Sequence, residues 1–331
     1  MLCAPPRLPR VSDGHQPAPF VVGVGRSGTT LLRLMLDAHP ELSIPPETHF
    51  LPALIKLYAG SREPNTDELV EAVETHPGWR DFGMDENELR IAFAGRAGFG
   101  SAGDAAGAIR SFYAAYASAH EKPRWGDKTP VYIESIAQIG EALGDQARFV
   151  HLIRDGRDVA VSRGARAVKR GREATPARDE AETWKRRIEG ARAEGNEVAH
   201  YLELRYEDLI ADPETALRTV CEFIDLPYDP AMLEYHERSA DRLQEIARDL
   251  DDEDGGALRP AAERIEAHSL VTEAPRSDRV DRWRKLMPAE DIAEFEAIAG
   301  DLLAELGYEV TTSEGREAAA ASQSESESSS D

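Results

Sequence analysis

Short, wholly apolar runs alternate along this chain with longer stretches in which apolar residues recur every three or four positions. Pro19, Phe20, Val21 and Val22 lead to Gly23 in a run too short for a helix and apolar on both faces, which predicts a buried strand. Directly after it, Leu31, Leu32, Leu34, Met35 and Leu36 put an apolar face on a helix. The alternation returns with strands expected near 19–24, 123–126, 148–153 and 199–205. Helical patterns follow at Ile133, Ile136, Ile139 and Leu143, and at Leu217, Val220, Cys221 and Ile224. Further helices are expected at about 66–75, 85–97, 104–120 and 178–195, outside the strand–loop–helix core and open to building a substrate pocket. Units in this order predict an α/β fold: a P-loop-type, mainly parallel sheet flanked by helices on both faces. Ligands of such sheets lie across the carboxyl ends of the strands.

Three stretches depart from the pattern. Residues 1–18 are proline-rich and residues 311–331 end in alternating serine and glutamate, so both are expected as disordered tails around one domain at 19–310. Within that domain, the acidic run from Asp249 to Gly256 marks a mobile insert at about 240–275, expected as a solvated loop rather than a lid. No internal repeat is present.

The loop between the first strand and the first helix reads Gly23-Val24-Gly25-Arg26-Ser27-Gly28-Thr29-Thr30, the G-x-x-x-x-G spacing of a phosphate-binding loop. Glycines let backbone amides converge there, and the helix N-terminus adds about half a positive charge, so the junction is an anion cradle. A nucleotide triphosphatase carries lysine where Thr29 stands, which argues against a γ-phosphate and Mg²⁺. Arg26 offers a cation to another doubly anionic group instead. A second basic element spans 148–162: Arg154 lies at the carboxyl end of a strand and Ser162 falls two turns into the next helix. Arginine gives phosphate the bidentate contacts that lysine cannot.

These two motifs resemble the sulfotransferase superfamily, whose 5′-phosphosulfate loop carries Arg/Lys-Ser-Gly-Thr-Thr ahead of a helix. The resemblance covers roughly residues 19–308. It implies 3′-phosphoadenosine 5′-phosphosulfate as donor, adenosine 3′,5′-bisphosphate as product and no metal. Arg26, Ser27, Gly28, Thr29 and Thr30 would then bind the 5′ end, and Arg154 and Ser162 the 3′-phosphate. In Trp125-Gly126-Asp127-Lys128-Thr129-Pro130, Lys128 stands where the family's lysine touches the bridging or sulfuryl oxygens. The soluble small-molecule enzymes place a histidine base two residues beyond that lysine, where this chain has Pro130. The stretch Glu47-Thr48-His49-Phe50 resembles the heparan sulfate sulfotransferases, and the longer run from Arg26 to Glu47 is similar to the tyrosylprotein sulfotransferases. Both groups use a glutamate base, so Glu47 is the expected base and His49 the second candidate. Arg205-Tyr206-Glu207-Asp208-Leu209 resembles a family segment of core and strand edge. Around Trp283, Arg276, Ser277 and Arg279 resemble the late loop that closes over the donor, with Arg276 and Ser277 the expected ligands. The implied reaction is in-line sulfuryl transfer to a hydroxyl on a protein tyrosine, carbohydrate, glycolipid or small metabolite. The competing readings are a P-loop kinase of a small metabolite and a non-catalytic nucleotide-binding protein.

Composition changes the picture in one respect. The net charge is −23, and only six of the 39 basic residues are lysine, leaving 33 arginines. A uniform negative field slows a polyanionic donor, so local arginines must override it. Excess acid with scarce lysine fits a halophilic protein in a salt-rich cytoplasm, where the Debye length at 1 M is about 3 Å. Nucleic acid is not an expected partner, because no basic face or aromatic-interleaved basic stretch is present. Cys3 and Cys221 are too few and too far apart for a disulfide framework or a zinc site. No apolar run reaches the length of a transmembrane segment and residues 1–18 lack a signal peptide's apolar stretch, so the chain reads as soluble and cytoplasmic, with a homodimer left open. The urea midpoint of unfolding should rise between low salt and 1 M KCl as self-repulsion is screened; a flat or falling midpoint rejects the salt-rich reading.

Overall fold

The computed structural model describes residues 15–60, 62–99, 104–251, 257–267, 272–313 and 316. Most of both expected tails, and the centre of the acidic insert at 252–256, lie outside the described residues. The amino-terminal half runs β1 (Ala18–Val22), α1 (Thr29–Asp37), β2 (Leu42–Ser43), α2 (Leu51–Leu57), α3 (Thr66–Glu74), α4 (Glu86–Ala94), α5 (Ala105–Ala119), β3 (Arg124–Trp125), β4 (Asp127–Lys128) and α6 (Ile136–Leu143). It continues with β5 (Ala147–Ile153), α7 (Gly156–Lys169), α8 (Ala177–Gly195), β6 (Tyr201–Arg205), α9 (Tyr206–Ala211) and α10 (Pro213–Phe223). The remainder is α11 (His236–Gln244), β7 (Leu250–Asp251), β8 (Ala257–Arg259), α12 (Ala261–Ala267), α13 (Trp283–Leu286) and α14 (Ala289–Glu305).

The main sheet has the order β4–β1–β5–β6, and every pairing is parallel. Because successive side chains of a strand leave opposite faces, the sheet feeds two cores. Phe20, Val22, Phe149 and Ile153 enter one, with residues of α2 to α6, α8 and α14. Val21, Val150, Leu152 and Leu204 enter the other, with residues of α1 and α10. Helices therefore cover both faces, as the apolar pattern requires of a parallel sheet.

The strand expected near 123–126 is divided. Arg124 and Trp125 pair with Leu42 and Ser43 in a separate two-stranded ladder, and only Asp127 and Lys128 join the main sheet, opposite Phe20 and Val21. Gly126 makes the switch possible, since a Cβ there would come within 2.8 Å of the Pro19 carbonyl oxygen. The peripheral helices begin where side chains satisfy their first amides: capping boxes Asn65/Glu68 and Asp85/Glu88 open α3 and α4, and Asp104 caps α5. The described flanks of the acidic insert are tied to the body by ion pairs. Arg242 binds Asp37 and Glu245, Arg33 binds Glu245, and buried Arg264 binds Asp81. Glu263 and Glu266 of α12 pair with Arg170 and Lys169 at the end of α7.

Gly156 opens α7 in direct contact with two buried rings. A Cβ there would lie 2.6 Å from both Phe295 and Trp184, whose rings anchor α14 and α8. Gly156→Ala should lower stability in urea denaturation by about 1–3 kcal/mol, the usual cost of overpacking. Gly190, inside α8 with nothing near its missing Cβ, should instead gain about 0.4–1 kcal/mol when changed to alanine. Equal shifts at the two positions would contradict this packing.

Candidate functional site

The loop after β1 is shaped by two glycines. A Cβ on Gly23 would meet the Leu152 carbonyl oxygen at 2.6 Å, and Gly28 has φ +97 with the Tyr206 ring 2.5 Å from where its Cβ would be. Only glycine lets the loop lie this close to β5 and α9 while taking a left-handed turn. Ser27 N donates to the Val24 carbonyl at 3.0 Å, and Leu31 N to the Gly28 carbonyl at 2.9 Å, which closes the loop onto α1. No side chain caps α1, so its first amides keep their capacity for a ligand. Ser27 Oγ is buried and has no hydrogen-bond partner. An orphaned hydroxyl in a loop of this shape is a polar group awaiting an anion.

Arginines surround the loop. Arg26 takes a left-handed backbone conformation, φ 83, costly for a residue with a side chain unless its surroundings enforce it. Two bonds do so: Arg26 Nε donates to Ser162 Oγ at 3.1 Å, and the Arg26 carbonyl accepts from Arg154 Nη1 at 3.1 Å. Arg154 lies over the Tyr206 ring at 4.5 Å, and its Nη2 donates to the Arg279 carbonyl at 2.6 Å. The Nε atoms of Arg154 and Arg279 are buried without hydrogen-bond partners, the latter 3.7 Å from Asp278 Oδ1. Burial, followed by the neighbouring charges of Arg166 and Arg154, pulls the Arg26 guanidinium down to about 10. Like charges held together out of water mark a site that is completed by an opposite charge.

The other half of the site lies across α1. Lys128, buried on β4, donates from Nζ to Glu47 Oε1 at 2.6 Å and reaches Thr30 Oγ1 at 3.4 Å. Glu47 Oε2 meets His49 Nε2 at 3.1 Å, and the His49 ring stacks on His76 with centroids 4.6 Å apart. Burial alone would push the Glu47 carboxyl up, but Lys128 and His49 outweigh it and hold it well below the usual carboxylate range. Glu47 does not cap α2, whose N-cap is Phe50. Among the described residues no cluster of His, Cys, Asp and Glu could hold a metal ion.

Of the residues expected from the sequence, Arg26, Ser27, Gly28, Thr29, Thr30, Glu47, His49, Lys128, Arg154 and Ser162 converge on the carboxyl ends of β1, β4 and β5. The late loop differs in detail. Arg276 is half-exposed and pairs with Glu273 and Asp278, and Ser277 is exposed, whereas Arg279 delivers its carbonyl to Arg154. Arg157 is structural: it is buried between Asp155 and Glu296, with its guanidinium 3.6 Å from the Trp283 ring. Sequence reading missed Tyr206 and Arg166. Arg166 follows Ser162 by four residues on α7, a spacing that could have drawn it in; nothing in the sequence placed the Tyr206 ring under Gly28.

Comparison with known proteins identifies the family. Residues 17–230 match the Sulfotransferase family. Protein-tyrosine sulfotransferase A of Caenorhabditis elegans is 28% identical over 310 residues, covering 91% of this chain and 70% of its own. Protein-tyrosine sulfotransferase 1 of Danio rerio is 26% identical over 305 residues, covering 91% and 75%. Two solved structures share the fold. The sulfotransferase domain from the curacin biosynthetic pathway matches with a TM-score of 0.56 at 20% identity, over 90% of this chain and 100% of that domain. The sulfotransferase domain from the Synechococcus PCC 7002 olefin synthase matches with a TM-score of 0.52 at 24% identity, over 89% and 98%. Neither the kinase nor the non-catalytic reading gains support from these relatives. The match across most of the chain, falling on the loop and basic residues just described, establishes that the chain belongs to the sulfotransferase family and is an enzyme that transfers a sulfuryl group to an acceptor.

Proposed function

We propose that the donor is 3′-phosphoadenosine 5′-phosphosulfate, and that the acceptor is a hydroxyl whose proton is taken by Glu47. The observation that carries this reading is the pair of buried donors without hydrogen-bond partners, Ser27 Oγ and Arg154 Nε, beside the like-charged Arg26, Arg154 and Arg166. Two anionic groups fit them: a 5′ group on the loop at Ser27 to Thr30, and a 3′-phosphate between Arg154 and Ser162. The bound donor supplies the sulfuryl group. The protein supplies position and charge. Arg26, within the loop, and Lys128, 3.4 Å from Thr30 Oγ1, stabilise negative charge on the transferring group and the leaving phosphate. With Lys128 beside it, Glu47 is ionised but weakly basic. As the ammonium turns toward an anion on the loop, that hold relaxes and burial raises the affinity of Glu47 for a proton, so the base strengthens when the site fills. The protein-tyrosine relatives make a phenol the first acceptor to test.

Adenosine 3′,5′-bisphosphate should raise the melting temperature without metal, adding about 2.7 kcal/mol at 100 times its dissociation constant, and ATP with Mg²⁺ should do far less. Comparable shifts from both nucleotides, or a strict metal requirement, would point back to a kinase.

Glu47→Gln keeps the shape of the side chain but cannot accept the proton. Turnover should fall by roughly 10²–10⁴ with bisphosphate affinity nearly unchanged. Because the free-enzyme carboxyl sits below its ordinary range, the acid limb of kcat/KM in the parent should lie below that range too. A nearly active Glu47→Gln beside an inactive His49→Ala would assign the base to His49.

A further inference from the structure

The stretches carrying Glu47 and Lys128 are bonded to each other on two sides. On the side facing the loop, Lys128 Nζ donates to Glu47 Oε1 at 2.6 Å. On the core side the very next residue of one stretch meets the preceding residue of the other: Thr48 Oγ1 donates to Asp127 Oδ2 at 2.8 Å. Thr48 and Asp127 are 0% and 1% exposed, so this second contact is a sealed counterpart of the first.

That sealed contact has a fixed direction. Thr48 has one hydroxyl proton and gives it to Asp127, so Tyr132 OH, 2.9 Å away, must donate to Thr48. Tyr132 OH in turn accepts from the Leu51 amide at 3.0 Å. Tyr113 OH donates to the same Asp127 oxygen at 2.7 Å, and the Thr48 amide donates to Thr129 Oγ1 at 2.9 Å. Asp127 Oδ1 is buried without a hydrogen-bond partner; burial pushes the carboxyl up, the hydrogen bonds from Tyr113 and Thr48 to Oδ2 oppose that push, and Oδ2 is the accepting end of the relay. Immediately after Thr48 comes His49 at φ 52, a left-handed conformation that persists only where neighbours enforce it. The relay supplies that enforcement from Thr48 on one side and Leu51 on the other.

A buried carboxylate with one oxygen unfilled is a poor stabilising device, since well-packed apolar residues commonly do as well. What it provides is placement. We infer that Thr48 and Asp127 are positioning residues that set the Glu47 carboxylate against the Lys128 ammonium. This rests on the reading of Glu47 and Lys128 as the reacting pair of the proposed function. Neither positioning residue touches the site face, and both act through the backbone they share with a residue that does.

The test measures the energetic coupling of Glu47 and Lys128 by a double-mutant cycle, with Glu47→Gln, Lys128→Met and the pair unfolded in urea. The cycle is run in the parent chain and again in Thr48→Val, Thr48→Ser and Tyr132→Phe backgrounds. The coupling should fall by more than half in Thr48→Val, fall in Tyr132→Phe, and survive in Thr48→Ser, which keeps the hydroxyl. A residue that only stabilised the fold would lower the midpoint of every member equally and leave the coupling unchanged, and that result in Thr48→Val overturns the inference. Should Thr48→Val fail to fold, Tyr132→Phe decides alone, because it removes one relay hydroxyl without altering charge. An active Glu47→Gln sinks the base assignment but not a loss of coupling already measured, so the two readings fail separately.

Discussion

The site depends on β1 being paired in parallel on both edges. Five residues of buried strand put Val21 opposite Lys128 on one side and Val150 opposite it on the other. Because all three strands run the same way, their carboxyl ends open together. The loop leaves β1 there, Lys128 closes β4 there, and Arg154 follows β5 by one residue. No long-range steering of side chains is needed: once the register is set, the backbone has already delivered an anion loop and two cations to one edge. This also explains the glycines at 23 and 126, each of which lets a backbone pass within contact distance of a neighbouring strand.

The electrostatics of the molecule run opposite to those of the site. The chain as a whole carries −23, yet Arg26, Arg154 and Arg166 stand together with partially buried guanidinium groups. The surrounding acids are shared with other groups: Glu296 and Asp155 hold Arg157, Asp278 holds Arg276 and lies 3.7 Å from Arg279, and Asp158 receives the Trp283 amide while pairing with Arg154 at 3.4 Å. Burial and the like charges of Arg166 and Arg154 bear on Arg26, so positive charge dominates at the loop although the chain as a whole is negative. Such an arrangement attracts a polyanion over short range and discriminates little by long-range steering.

The features legible in the sequence were those written as local spacing. The loop motif, the apolar strands at 148–153 and 199–205, and the Arg154/Ser162 pair lie in short continuous segments, so their pattern survives without a fold. The strand near 123–126 was only half legible because two adjoining dipeptides serve two different sheets, a division forced by the Pro19 backbone. Glu47 as a candidate depended on a family resemblance; its partnership with Lys128 is a contact across 81 residues that no periodicity encodes. In the late loop, Arg276 pairs with Glu273 and Asp278, while the Arg279 carbonyl accepts from Arg154, a contact made across the fold that no local spacing encodes. Tyr206 sits in a segment expected as core, and it is core, yet the same ring also carries Arg154.

The buried Arg157 connects the beginning of the phosphate motif to the end of the domain. Its partner Glu296 lies on α14 and accepts the amides of Thr311 and Thr312, while Trp283 covers its guanidinium. The first part of the site to be synthesised, the loop at 23–30, thus stands beside a helix whose anchoring needs almost the last residues of the domain. At ordinary translation speeds of roughly 5–20 residues per second, the interval between the two is on the order of 15–55 s. For much of that interval Arg154 and Arg166 have not been made, so the loop exists before the cations that gather around it, and those cations exist before the bonds that anchor α14. The bonds that hold α7 in place are therefore completed only at the end of the domain, and a chain cut short before Thr311 would keep every residue of the loop while lacking them.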